Sequence, residues 1–183
     1  MEAALRICRR VGLANLTMRK LAEELGLSSM NSYHYVSSKR DLFDLVAEAV
    51  LAQVPEPPDD IERWDDQLSF MFHTARERLL EHPGVSDHLL VRATGLPNEL
   101  RLHRIVDRIL VAAGFSASTS LRIQRILTYL LFGAVSQELA GLAAAERSDV
   151  LTFTDDADVF DFGLATMLAG LRLTGGQDDA GPG

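Results

Sequence analysis

The stretch 16–36, LTMRKLAEELGLSSMNSYHYV, leaves this chain the fewest choices. Met18, Leu21, Ala22 and Leu25 fall at i, i+3, i+4 and i+7, one apolar stripe at the helical period. Thr17 stands before the stripe as an N-cap whose hydroxyl can accept an orphan amide of the first turn. Gly26 follows it and can take the left-handed conformation that ends a helix. Ser28 or Ser29 then caps a second helix only a few residues on. The small Ala22 lies where two such helices must cross closely. The pattern predicts a helix-turn-helix, whose second helix fits the DNA major groove.

That second helix is composed for reading rather than packing. Ser28, Ser29, Met30, Asn31, Ser32, Tyr33 and His34 offer hydroxyls, an amide, a thioether, a phenol and an imidazole. Asn31 can pair bidentately with adenine, the serines can meet either kind of base edge, and Met30 can touch a thymine methyl. Arg19 and Lys20 on the first helix, with Lys39 and Arg40 beyond the second, are placed for phosphates, which position a protein without carrying sequence information. Arg19 can also reach a guanine. Any one of these residues fits the solvated face of a small helical hairpin equally well. Cap, stripe, glycine and cations agree only in the DNA-binding reading.

The segment 16–42 closely resembles the DNA-binding motif of the tetracycline-repressor (TetR) family of bacterial transcription regulators. It carries Leu16-Thr17 followed by Arg19, then Leu21-Ala22-Glu23, Leu25-Gly26, an aromatic cluster, Lys39 and Leu42. The likeness covers residues 1–50 closely and the rest in outline. It implies that Ser29, Met30, Asn31, Tyr33 and His34 face DNA, and that Thr17, Arg19, Tyr33 and Lys39 hold phosphates or bases. The family's aromatic cluster usually ends in His-Phe or His-Val, whereas Tyr35-Val36 closes it here. Members of that family also carry a short basic arm ahead of their first helix. Its absence here implies a truncated start or a weaker minor-groove contact.

A net charge of −8 argues against DNA binding until its distribution is read. Residues 1–40 hold Arg6, Arg9, Arg10, Arg19, Lys20, Lys39 and Arg40 against Glu2, Glu23 and Glu24, so the excess of acid lies wholly beyond them. A basic head on an acidic body is the footprint of a protein that touches phosphates at one end. The 183 residues suffice for one or two small domains with a sizeable core, and 47% apolar residues at a mean hydropathy of +0.05 describe a globular chain. No apolar run approaches the ~20 residues of a membrane helix, and MEAALRICRR has no signal-peptide core. Cys8 is the only cysteine, so no intrachain disulfide can form and a cytoplasmic location is expected.

In chain order, Ala4, Leu5, Cys8 and Val11 form the inner stripe of a first helix that Gly12 ends, giving a three-helix, homeodomain-like head. Ser38-Lys39-Arg40-Asp41 has the spacing of a helix start and opens a connecting helix over 39–54. The Pro-rich stretch 55–60 marks a boundary. The expected domains are therefore 1–54 and 55–174, with a disordered tail at 175–183. Helices are expected over 61–81, 85–92, 98–113, 121–145 and 157–173, and the fold class is all-α. The first of these turns Ile61, Trp64, Leu68, Met71, Phe72, Ala75 and Leu79 inward. The helix at 121–145 is apolar on more than one face and needs burial on several sides.

The last two helices offer more apolar surface than one small domain covers, which predicts a homodimer through 121–145 and 157–173. Trp64, Phe72, His73, His103, Tyr129 and Phe132 are the candidate lining of a ligand cavity. His82 and His88, beside a helix break, are expected to be exposed. No metal spacing, cofactor motif, phosphate loop or catalytic constellation stands out, so the chain is not expected to be an enzyme. The resulting expectation is a repressor released from a palindromic double-stranded operator by a small, largely apolar inducer, with no membrane association. A helical protein-interaction module, or a ligand-binding protein whose helix-turn-helix does not act on DNA, stays open as the alternative.

Overall fold

The computed structural model describes residues 1–26, 38–91, 95–145 and 156–174, and among them every regular element is helical. In order these are α1 (Glu2–Val11), a 3₁₀ turn (Leu13–Asn15), α2 (Met18–Leu25), α3 (Lys39–Leu51), α4 (Trp64–Leu80), α5 (Val85–Val91), α6 (Pro97–Ala112), α7 (Ala117–Ala145) and α8 (Asp156–Thr174). The expected all-α class is the one observed. The second helix of the motif, with Ser28, Ser29, Met30, Asn31, Tyr33 and His34, lies outside the described residues.

The head forms much as its caps dictate. Thr17 accepts the Lys20 amide at 3.2 Å, and Gly26 closes α2 at φ +66°, a conformation a side chain resists. The α1 stripe is rotated from the expected one. Ala3, Ala4, Ile7 and Cys8 are buried while Leu5 and Val11 are only half-buried, because the inner face follows 3, 4, 7 and 8. Burial pushes the Cys8 thiol up to about 11, against a smaller pull from Arg9, so it is an inert packing residue. Leu25, placed on the inner stripe of α2, is instead 51% exposed.

Helix α3 starts where Ser38 caps it, its hydroxyl accepting the Asp41 amide at 3.1 Å. It stops at Leu51 rather than reaching 54. Gln53 and Val54 donate to Val50 and Leu51, the tighter i−3 bonds of a final turn, and Pro55 has no amide with which to continue. Helix α7 begins at Ala117, earlier than expected, because the Ser116 hydroxyl accepts the Thr119 amide. Its contact with α8 is close at Gly163, where an added Cβ would lie 3.1 Å from Leu130. Near the other end of α8, Arg172 pairs with the buried Asp65 of α4, which Arg63 also holds at 2.9 Å. One continuous apolar cluster runs from Ala4 through Val46, Leu68, Leu110 and Leu127 to Leu168, so head and body share a core.

Candidate DNA interface and buried cavity

On the head, Lys20 and Lys39 (the only two lysines) come together. Lys20 Nζ donates to the Asn15 carbonyl at 3.1 Å and Lys39 Nζ to the neighbouring Ala14 carbonyl at 3.2 Å. Lys39 also sits over the Phe43 ring, 5.1 Å from its centre. Each ammonium spends one of its three donors on the 3₁₀ turn and keeps two others. Arg19 is largely exposed and leans on Glu23 one turn away at 3.3 Å. Thr17 is exposed but already caps α2. Arg6 and Arg10 do not add to this face, since both bind Glu24, and the Arg6 hydrogen bond leads in drawing its carboxyl below the usual range. Arg40 makes no ion pair among the described residues and stays exposed.

The two histidines at the helix break are not free at the surface, against the expectation from sequence. His82 is fully buried. Its Nδ1 lies 2.7 Å from the Arg78 carbonyl and so carries the proton, which leaves Nε2 to accept from Arg9 Nε at 3.0 Å. Arg9 reaches Glu81 as well, at 3.4 Å. Beside it the Leu13 amide donates to the Pro83 carbonyl at 2.7 Å. His88 lies 2.7 Å from Asp44 of α3 and meets Phe43 edge-on. The motif His82-Pro83-Gly84 thus does more than stop a helix: it seats the head on the body. A His-Pro-Gly run following a helix is the signal that reading α4 alone passes over.

A second joint links α3 to α6. Glu48 accepts the Asn98 amide at 2.8 Å and the Asn98 side chain at 2.6 Å. Arg101, oriented by Asn98, donates to the carbonyls of Leu51 and Val54 at 3.2 and 2.7 Å, at and just beyond the last turn of α3.

Between these joints the body is hollow. A cavity of about 540 Å³ is walled by the end of α3, by α4, α5 and α6, and by α7. Of the expected lining residues, Phe72, His103, Tyr129 and Phe132 face it. Trp64 does not, because it packs edge-on against Phe115 at 5.4 Å beside a smaller pocket. Nor does His73, which bridges α4 to α8 by lying 3.1 Å from Asp161 and edge-on to Phe160. Sequence reading missed Gln124, Arg125 and Thr128, polar residues on the same side of α7 as the cavity. Their signal was Gln124 and Thr128 four apart among Ile123, Leu127 and Leu131, a polar interruption of a stripe otherwise read as apolar all round. Among the described residues no three His, Cys, Asp or Glu side chains gather as a metal site, and no helix is long and apolar enough to cross a membrane.

A basic head built on a capped helix, seated on a hollow all-helical body, is the build of a helix-turn-helix transcription regulator. Residues 1–46 match the family model of bacterial regulatory proteins, tetR family. The class C tetracycline repressor protein of Escherichia coli is 30% identical over 182 residues, covering 98% of this chain and 82% of the repressor. An HTH-type transcriptional regulator of Saccharopolyspora erythraea is 32% identical over 137 residues, 75% of this chain, which spans 58% of that regulator's length. The solved structure of class A TetR in complex with 5a,6-anhydrotetracycline and magnesium superimposes with a TM-score of 0.77 at 30% identity, covering 94% of this chain and 95% of that one. The chain belongs to the tetR family of bacterial regulatory proteins.

Proposed function

We propose that the protein is a cytoplasmic homodimeric repressor whose two heads grip a palindromic operator until a small, largely apolar molecule occupies the cavity. It acts by binding, not by catalysis. Thr17, Arg19, Lys20 and Lys39 hold phosphates, and Ser28, Ser29, Met30, Asn31, Tyr33 and His34 meet the groove. The observation that carries the reading is the direct connection between cavity and head. Helix α6 lines the cavity with Leu102, His103 and Val106 and, through Asn98 and Arg101, clamps the end of α3. Helix α3 begins at Lys39, on the face of the head that meets DNA. A molecule that displaces α6 moves one end of α3 while α1 stays seated on Pro83, and the head tilts. It must bind the released state better than the DNA-bound one, since equal affinity shifts nothing.

Dimerisation is supported by the outward sides of α7 and α8, which expose Ile126, Leu142, Val159 and Phe162. Packing this pair against its symmetry mate buries that surface and sets two reading helices about one DNA turn (~34 Å) apart. A gel shift on the duplex upstream of the protein's own gene, across a salt series, tests the reading. Affinity should fall steeply with salt, and Arg19→Ala should weaken binding and make the salt dependence shallower. Indifference to duplex DNA, or binding unaffected by salt, would return the protein-interaction alternative. Operator affinity unchanged by a saturating cavity ligand would remove the switch.

A further inference from the structure

The α4 wall of the cavity, with Met71, Phe72 and Ala75, is hydrocarbon, while its polar groups come from Glu99 and His103 of α6 and from α7, which contributes Arg125, Tyr129 and, one turn apart on one face, Gln124 and Thr128. Gln124 is 7% exposed and Ser120, one turn earlier, is fully buried. Ser120 Oγ donates to Asp107 Oδ1 at 2.6 Å, and Gln124 Nε2 donates to Ser120 Oγ at 3.1 Å. The order of this chain is forced. The single Ser120 proton points to Asp107, so Ser120 can only accept from Gln124. The amide therefore turns its nitrogen to Ser120. Gln124 Oε1 is left without a hydrogen-bond partner among the described residues, on a side chain that lines the cavity.

Resting on the reading of this cavity as the effector site, we propose that Gln124 determines its specificity. The Asp107–Ser120–Gln124 chain presents a fixed acceptor that selects an apolar, ring-sized effector carrying a hydroxyl or N–H donor on one edge. A carbonyl acceptor cut off from water is unfavourable unless a donor meets it. A ligand that displaces water from Oε1 must bring its own donor or lose affinity. Thr128 supplies a second polar contact along the same edge, and the rings lie against Phe72 and Met71. Gln124 touches the effector; Ser120 and Asp107 are positioning residues that act through it.

Two fluorescent probes with one ring system separate donor from bulk: 1-hydroxypyrene, and 1-methoxypyrene, which has no donor. Titrated into the full chain, 1-hydroxypyrene should bind about tenfold tighter, the size of one neutral hydrogen bond. Gln124→Leu, close in volume, should bring the two affinities within about twofold by weakening 1-hydroxypyrene alone. Ser120→Ala should give an intermediate ratio and Ser120→Thr, which restores the hydroxyl, should recover it. A merely structural role would move both probes together. A ratio near one in the wild type, or a ratio unmoved by Gln124→Leu, overturns the proposal while the cavity stands as the effector site. If neither probe binds at one site per chain, or binding survives the cavity-filling Ala75→Phe, the effector-site reading fails and takes the proposal with it.

Discussion

Two of the joints between head and body are made of opposite materials. On the α1 side the contact is buried and close-packed. Leu13 is 1% exposed, its amide sits on the Pro83 carbonyl, and an added Cβ at Gly84 would stand 3.3 Å from Leu13 Cβ. On the α3 side the contact is charged and half-buried, made by Glu48, Asn98 and Arg101. Close packing has one arrangement and loses contact energy steeply when displaced. Half-exposed polar pairs exchange partners with water at small net cost. From that contrast we infer that the first joint is the fixed pivot and the second the part that moves.

The largest test of this contrast is Leu13→Ala. It empties a fully buried position at the pivot and should lower stability by about 2–5 kcal/mol, read from urea denaturation. Gly84→Ala comes next. At φ +87° a side chain is strained before any contact is counted, and its methyl must push on Leu13, so a loss of about 1–3 kcal/mol is expected. The double variant should lose less than the sum, because shortening Leu13 clears space for the methyl added at position 84. Full additivity would mean the two do not share one packed contact.

Sequence alone made α1, α2 and the helices of the body legible, because those depend on local signals: the Thr17 cap, Gly26, the Pro-rich break after Val54. The joints were not legible. The acceptor role of His82 depends on Arg9, which is 73 residues away, and Glu48 caps a helix start 50 residues on. No periodicity reports such pairs. The cavity was half legible for the same reason. Aromatic composition pointed to Phe72, His103, Tyr129 and Phe132, but Trp64 and His73 have the same chemistry and were turned elsewhere by Phe115 and Asp161. Gln124 was hidden by its apolar neighbours, although a lone amide on the inner face of a buried helix is itself a sign of a polar task.

Glu48→Ala should behave in the reverse way to Leu13→Ala. It deprives the Asn98 amide of its acceptor at a half-buried site, so stability should fall by only about 0.5–1.5 kcal/mol. The ratio of operator affinities without and with effector should fall much further towards one, since α6 then slides without carrying α3. Glu48→Gln, which keeps an acceptor oxygen, should retain most of that ratio. A Glu48→Ala protein less stable than Leu13→Ala, with its response to effector intact, would invert the assignment of pivot and moving part.

The smallest effect separates the joints by pH. Burial, seconded by the Arg9 charge, holds the His82 imidazole below its ordinary value of 6.5, although its hydrogen bond to the Arg78 carbonyl pulls the other way. Arg9, Arg78 and Glu81 are the charged groups around it, and the two arginines resist a third positive charge. Above the ordinary value both folded and unfolded chains hold this histidine neutral, so its contribution is complete. As pH falls below 6.5 the unfolded chain takes up a proton that the folded one refuses, and stability drops until the lowered folded value is passed. His82→Gln keeps a side chain that can accept from Arg9 but cannot titrate. Urea midpoints measured between about pH 5.5 and 7.5 should therefore decline more steeply towards acid for the wild type than for this variant. Parallel profiles would show that the pivot does not depend on a neutral His82.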